Sequence, residues 1–345
     1  MKTTKTILVT GGAGFIGSNF VDYLLARRRQ YQVVVLDALT YAGNLENFTP
    51  EMRDSPRLKF FHGDVRNSEL VNELVSKSHV VVHMAAETHV ARSIFDNKGF
   101  YETDVLGTQV VTNAVLKNRK RIERFIHIST SEVYGTAMQA PMSEEHPLNP
   151  TSPYASAKAG ADRLVYSYQR CYEVPGLIIR PFNNYGPRQH LEKAIPRFIT
   201  SALLNEPLTI HGDGKSSRDW LFVEDHCRAI LAAVECDLRV ANGEVVNIGT
   251  GRDISIDEVA RTVLKIMKKS EKLLRYIPER MGQVQRHISS VDRSHRILGW
   301  KPEVTFEEGI RRTIAWYRKN PKWWKKLLWM RHVPIISEDG SVEMY

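Results

Sequence analysis

Cysteine is scarce: three residues in 345, Cys171, Cys227 and Cys236. Odd in number and scattered, they exclude a disulfide framework and have no metal-ligand spacing. They read as reduced thiols of a cytoplasmic protein. No apolar run reaches the roughly 18 residues of a membrane-spanning helix. The first residues lead straight into an apolar strand without the apolar core and small-residue cleavage site of a secretion signal, so none is expected. The histidines His83, His89 and His127 do not share a metal-binding helix face and are expected to be structural. No internal repeat or low-complexity tract appears. The formal charge is +9, from 48 basic and 39 acidic residues. The basic residues are spread over 117–124, 265–272 and 319–331 rather than gathered on a nucleic-acid-binding module. That excludes nucleic acid as the expected partner and leaves a membrane surface or a small anionic substrate.

What is present is an alternation of apolar strands and helical stretches. Strands are expected at 5–10, 31–37, 58–63, 79–85, 124–129 and 175–180, with helices at 16–28, 67–77, 99–118 and 153–172. This pattern predicts an α/β fold, a Rossmann-type doubly wound parallel sheet with helices on both faces. After Pro181 prolines and glycines become frequent and elements shorten, then helices return at 224–235, 255–269, 293–298 and 305–319, with a strand at 245–249. A smaller α/β substrate-binding domain is expected there. The aromatic and basic stretch 316–331 is read as a helix packed on that domain.

Between the first strand and the first helix lies Gly11-Gly-Ala-Gly14-Phe15-Ile16-Gly17. Glycines at such a turn let backbone amides approach a pyrophosphate seated on the helix N-terminus. Asp37 follows 20 residues after Gly17, at the end of the second strand. An acid there accepts the adenosine ribose hydroxyls and repels a 2′-phosphate, which predicts NAD rather than NADP. Asp64 and Val65, after the third strand, are placed against the adenine, and Ala85, at the end of the fourth, against the same cofactor.

Tyr154 and Lys158, one helical turn apart, form a Tyr-x-x-x-Lys pair. A tyrosine of ordinary pKa near 10 is a poor base at neutral pH; Lys158 is expected to lower it. Thr130-Ser131-Glu132 lies 22 residues before Tyr154 and adds two hydroxyls and a carboxylate. The motifs at 10–17, 37–45, 83–93, 129–135, 152–158, 183–187 and 218–226 resemble the extended short-chain dehydrogenase/reductase family. More narrowly, they are similar to its nucleotide-sugar 4,6-dehydratases of the dTDP-glucose type. The resemblance covers about residues 5–320.

That resemblance implies a reaction cycle. Tyr154 takes a proton from a sugar hydroxyl while hydride leaves C4, and Thr130 holds the same oxygen. Glu132 removes the acidified C5 proton, water leaves from C6, and the hydride returns to C6. Ser131 departs from the Asp of the dTDP-glucose type, and Ala91 and Asp104 depart from its Asp and Asn. Thr-Ser-Glu also occurs in GDP-mannose 4,6-dehydratases and in UDP-glucuronate decarboxylases, so the acid for water loss stays open. Glu87, Arg92, Asn184, Lys193, Arg218, Asn247 and Arg286 are expected to hold the nucleotide sugar. The expected division is 1–181 plus about 225–249 as NAD-binding domain, 182–224 plus about 250–330 as nucleotide-sugar domain, and 331–345 as a tail. A homodimer is implied through the helix carrying Tyr154 and the long helix before it. A nucleotide-sugar epimerase or a UDP-glucuronate decarboxylase shares the first step. A non-catalytic NAD-sensing protein would need neither Tyr154 nor Glu132.

Overall fold

The computed structural model describes residues 4–279, 282–331, 333–336 and 342–344. In chain order the strands are β1 (Lys5–Thr10), β2 (Tyr31–Asp37), β3 (Leu58–His62), β4 (Val80–His83), β5 (Arg124–Ile128) and β6 (Gly176–Pro181). There follow β7 (Asn183–Tyr185), β8 (Leu208–His211), β9 (Ser217–Phe222), β10 (Val245–Ile248), β11 (Asp253–Ser255) and β12 (Leu274–Ile277). Seven of them form one sheet in the order β10-β6-β5-β4-β1-β2-β3, every pair parallel. The central strands are runs of Val, Ile and Leu with no polar alternation, as strands buried on both faces require. Val80, Val81, Val82 and His83 of β4 are all buried.

Two apolar layers cover the sheet. Phe15–Arg27 and Val223–Glu235 pack together on one face, joining Phe20, Val21, Leu24 and Ile230 to the sheet residues Ile7, Val9 and Val33. Ser68–Ser76, Thr108–Lys117 and Pro153–Tyr172 pack on the other, around Leu8, Val81 and Phe125. The strand order reverses between β1 and β4. In such a sheet the crevice beyond the carboxyl ends at this point is where ligands bind. The long helix before β5 is not uniform: Tyr101–Gly107 forms a widened, π-helical turn. Turns of this kind often mark functional sites, and this one turns Asp104 inward, fully buried.

The remaining strands make a three-stranded sheet, β11-β9-β7, and a β12-β8 pair. With Ala194–Leu204, Ile256–Met267 and Phe306–Lys319 they enclose a second core containing Tyr185, Trp220, Ile310 and Tyr317. Trp323 and Trp324 are buried in the same core, so the aromatic and basic stretch packs inward. Of residues 331–345, expected as a tail, 331, 333–336 and 342–344 are described: Val333 is buried against Ala91, and Pro334–Ile336 pairs antiparallel with Val342–Met344 beside the helix Val90–Phe95. Val333 finds its partner Ala91 far away in sequence, which local periodicity does not register.

Candidate active site

One cavity of about 760 Å³ opens at the carboxyl ends of the sheet. Its floor is the glycine turn. A Cβ at Gly17 would lie 2.2 Å from the Gly11 carbonyl oxygen, and one at Gly11 would lie 2.8 Å from the Ala85 backbone. Only glycine lets strand, turn and helix approach this closely. Gly14 caps the first helix without a side chain, and Phe15, Ile16 and Gly17 of its first turn line the cavity. The helix therefore presents its positive dipole end to any anion there.

Asp37 closes β2 with its carboxylate toward the same space. One oxygen accepts from the Ala13 amide (2.9 Å) and the other from the Leu39 amide (2.8 Å), leaving a lone pair on each for ribose hydroxyls. Burial raises its pKa, while those amides oppose the rise. Asp64, Val65 and Ala85 also line the cavity. The Asp64 carboxylate is held by Arg66, with contacts of 2.7–3.1 Å. That guanidinium lowers its pKa against the cost of burial. Asp64 thus faces the cavity as half of an ion pair. The glycine-rich turn, the helix start without a side-chain cap and the acid at the end of β2 fit a dinucleotide.

The reactive groups arrive from three elements. After β5, Thr130 caps the turn Ser131–Tyr134 by accepting the Glu132 amide at 3.2 Å. Its side chain also lies near enough to Tyr154 to oppose the rise that burial imposes on the phenol's pKa. Ser152 caps Pro153–Tyr172 by accepting the Ala155 amide, which sets Tyr154 and Lys158 on one face one turn apart. Asp162 of that helix forms a bidentate pair with buried Arg180, both contacts 2.9 Å. Arg180 donates to the Tyr134 hydroxyl, also at 2.9 Å. This buried network ties the Tyr154 helix to the turn bearing Ser131 and Glu132. Thr130, Ser131, Glu132, Tyr154 and Lys158 all line the cavity.

The electrostatics correct one expectation. Lys158 was expected to lower the Tyr154 pKa. Its ammonium donates instead to the Ile128 carbonyl (2.8 Å), and burial lowers its own pKa. Burial raises the Tyr154 phenol, the Asp104 and Glu132 carboxylates add to the rise, and Thr130 opposes it. Asp104 accepts the Glu87 amide at 2.8 Å through one oxygen; the other is buried without a hydrogen-bond partner among the described residues. Burial raises its pKa too, against the pull of Lys158. Positive charge brought into the cavity would therefore favour the ionised phenol.

Glu87, Asn184, Lys193 and Arg218 line the far part of the cavity. Arg92, Asn247 and Arg286 do not. Arg92 pairs with buried Glu192 (2.9 Å) and lies over the Tyr41 ring. Asn247 is enclosed, accepting from the Tyr134 hydroxyl (2.7 Å) and donating to the Met142 carbonyl (3.0 Å). Arg286 is exposed and bound to Asp253 (2.8 Å). The cavity also takes Gln189, His190 and Glu192 from the segment before Lys193, and Trp323, Lys326 and Met330 from the C-terminal stretch. The former sit beside a recognised motif; no local signal marks the latter. His83 accepts from Thr10 (2.7 Å) and bonds Thr108 (2.9 Å), a structural bridge under the turn.

Comparisons with known proteins agree with this geometry. The chain is 45% identical over 312 residues to the low-salt glycan biosynthesis protein Agl12 of Haloferax volcanii, covering 90% of this chain and 98% of that one. It is 41% identical to the dTDP-glucose 4,6-dehydratase of Streptomyces niveus over 93% of this chain and 95% of that one. The crystal structure of DesIV, the dTDP-glucose 4,6-dehydratase of Streptomyces venezuelae, with NAD bound, superposes with a TM-score of 0.88 at 40% identity. It covers 93% of this chain and 99% of that one. The GDP-mannose 4,6 dehydratase family model matches residues 8–313, and with a fold, a glycine turn and a Thr-Ser-Glu/Tyr-x-x-x-Lys cavity of this kind the chain belongs to that family.

Proposed function

We propose that the chain is an NAD-dependent nucleotide-sugar 4,6-dehydratase, a hydro-lyase that forms a nucleotide-linked 4-keto-6-deoxy sugar. One observation carries the reading: Thr130, Glu132 and Tyr154 share a single cavity with the glycine turn and Asp37. When bound, oxidised NAD accepts a hydride and brings a positive ring into that cavity. Gly11, Gly14 and Gly17 admit its pyrophosphate, Asp37 holds a ribose, and Lys158 and Ala85 border its reactive half. Tyr154, which shares the cavity with Thr130, takes the C4 hydroxyl proton as hydride leaves C4. Oxidation at C4 makes the C5 proton acidic because the carbanion becomes an enolate. Glu132 removes that proton, hydroxide departs from C6, and hydride returns to C6 as Glu132 gives its proton back to C5.

Arg218 and Lys193 supply positive charge for the substrate diphosphate, with Asn184 and Glu87 as polar partners. Part of the excess basic charge is thereby accounted for. We further assign the seven-stranded unit to the cofactor and the second core to the nucleotide sugar. A homodimer is proposed through Pro153–Tyr172 and the helix before it; exposed Tyr101, Leu106 and Tyr172 on these helices support it. Sedimentation at micromolar concentration tests it, a monomer being the contrary result. Among the described residues no helix is long and apolar enough to cross a membrane.

The deciding test is incubation with dTDP-, UDP-, GDP- and CDP-hexoses, with product mass as readout. Loss of one water is expected from one of them. Unchanged mass with inverted stereochemistry marks an epimerase, and loss of carbon dioxide from a uronic acid marks a decarboxylase. Glu132→Gln is expected to stop solvent exchange at C5 while C4 oxidation continues; persisting exchange removes Glu132 from the base role.

A further inference from the structure

Loss of hydroxide from C6 requires a proton donor, and Ser131 is too weak an acid to be one by itself. Ser131 is buried, lines the cavity, and sits beside a histidine that its own sequence neighbourhood does not reveal. Its Oγ lies 3.4 Å from Nδ1 of His287, 156 residues away. The other ring nitrogen, Nε2, lies 2.7 Å from the Gly135 carbonyl oxygen. A carbonyl only accepts, so Nε2 carries a proton whatever the charge of the ring. The state of Nδ1 is then the single variable. In the neutral ring Nδ1 accepts the Ser131 hydroxyl proton. In the charged ring Nδ1–H donates to Oγ, and the Ser131 hydroxyl proton is turned toward the cavity.

The ring is held for this purpose. His287 is completely buried, and its ring meets that of Phe182 edge-on at 6.0 Å. The segment bearing it is pinned by the backbone hydrogen bond from the His287 amide to Ser217 (3.1 Å). The charged and titratable groups acting on the ring are Glu132, which favours its charge, and Arg218 and His146, which oppose it. Burial, the largest influence, lowers its pKa. The Glu132 carboxylate, next to Ser131 in sequence, opposes that fall and so favours the ring form whose Nδ1–H faces Oγ.

Resting on the dehydratase reading, we propose that His287 supplies, through Ser131, the proton that lets hydroxide leave C6. As Glu132 takes the C5 proton, the electron pair of that C–H bond forms the C5–C6 double bond and the C6–O bond breaks. The departing oxygen takes the Ser131 hydroxyl proton and leaves as water. Ser131 takes the Nδ1 proton, leaving His287 neutral. The cycle closes when Tyr154 releases the C4 hydroxyl proton to solvent and His287 takes one up, so one water is lost and no proton is gained or lost overall. His287 acts through Ser131 and is a positioning and proton-holding residue, not one that touches the sugar.

The test compares the nucleotide hexose that the substrate panel identifies with its 6-deoxy-6-fluoro analogue. Fluoride leaves without being protonated, so its departure does not need the relay. His287→Gln keeps a donor for Gly135 but cannot pass a proton on. It is expected to slow water loss about 10²-fold, the scale of general acid catalysis, while C4 oxidation and fluoride release proceed at the wild-type rate. Adding Ser131→Asp to that variant places a carboxylic acid at the leaving group and is expected to restore water loss. Should His287→Gln not fold, Ser131→Ala carries the same expectation of slow water loss with intact fluoride release. Equal slowing of both substrates, or no slowing of either, overturns the relay. A wild-type enzyme that oxidises C4 but releases neither water nor fluoride overturns the dehydratase reading, and the relay with it.

Discussion

Tyr154 sits among groups that oppose its ionisation. Burial and two carboxylates hold its proton, and Thr130 alone opposes them. These influences raise the phenol's pKa, so positive charge brought into the cavity would favour its ionisation. Tyr154→Phe removes the proton acceptor but leaves the glycine turn and Asp37 untouched. C4 oxidation should fall about 10²- to 10⁴-fold, with NAD still retained, as read by absorbance of the reduced cofactor in a single turnover. His83 carries a different residue-scale expectation. Thr10 Oγ1 accepts the amides of Met84 and Ala85, so its hydroxyl proton goes to His83 Nδ1, and the ring is neutral. Burial, then Lys158, lowers its pKa from 6.5 to about 3. The unfolded chain binds this proton below pH 6.5 and the folded chain does not until near 3. Stability is full above that window and is lost as pH falls through it. Relative to His83→Gln, the wild type should lose about 1.4 kcal/mol per pH unit between 6 and 4. Denaturant melts of both proteins across that range check the slope.

At the scale of elements, the turn 11–17 was legible because its demands are local. Strand, close approach and helix start follow each other within a few residues, and Asp37 follows at a fixed remove. Gly17→Ala should lose NAD binding, since its Cβ meets the Gly11 carbonyl oxygen at 2.2 Å and the turn must open; equilibrium dialysis reads this directly. The caps at Thr130 and Ser152 are equally local, each side chain accepting an amide two or three residues on. Arg286 and Asn247 were not. Their positions depend on pairings such as the bridge of Ser217 to Arg286 and the register of Asn247 against Arg180, over separations that sequence spacing does not encode. The register that buries Asn247 also explains its partner Tyr134, which Arg180 joins to Asp162. Asp162→Asn leaves the Arg180 charge buried without its counter-ion and should cost about 3–5 kcal/mol. Burial opposes the Asp162 charge, but Arg180 holds its pKa well below 3.8. The pair therefore contributes fully above that ordinary value and weakens only in strong acid. A variant as stable as wild type at neutral pH would show that the network does not bind helix to turn.

Across the whole molecule, the C-terminal stretch reaches back to the cofactor side. Trp323 is buried in the second core, yet its indole Nε1 donates to Asn47 Oδ1 at 3.0 Å. Asn47 in turn donates to the carbonyl of Ala13, inside the glycine turn, at 2.8 Å. Thus 276 residues of sequence close on a single polar contact, and the same Trp323 lines the cavity. The contact links the two cores through the turn that seats the dinucleotide. Trp323→Ala removes a buried indole and leaves Asn47 without its donor, a loss of about 3–5 kcal/mol by the usual cost of such truncations. A purely local cavity would lower stability with and without NAD by the same amount. If the contact also holds the turn, NAD will stabilise the variant less than the wild type, because ligand stabilisation follows affinity for the folded state. Thermal melts of Trp323→Ala and wild type over a series of NAD concentrations separate these outcomes. Trp323→Phe, which refills most of the core but cannot donate to Asn47, should regain most of the lost stability while retaining the weakened response to NAD.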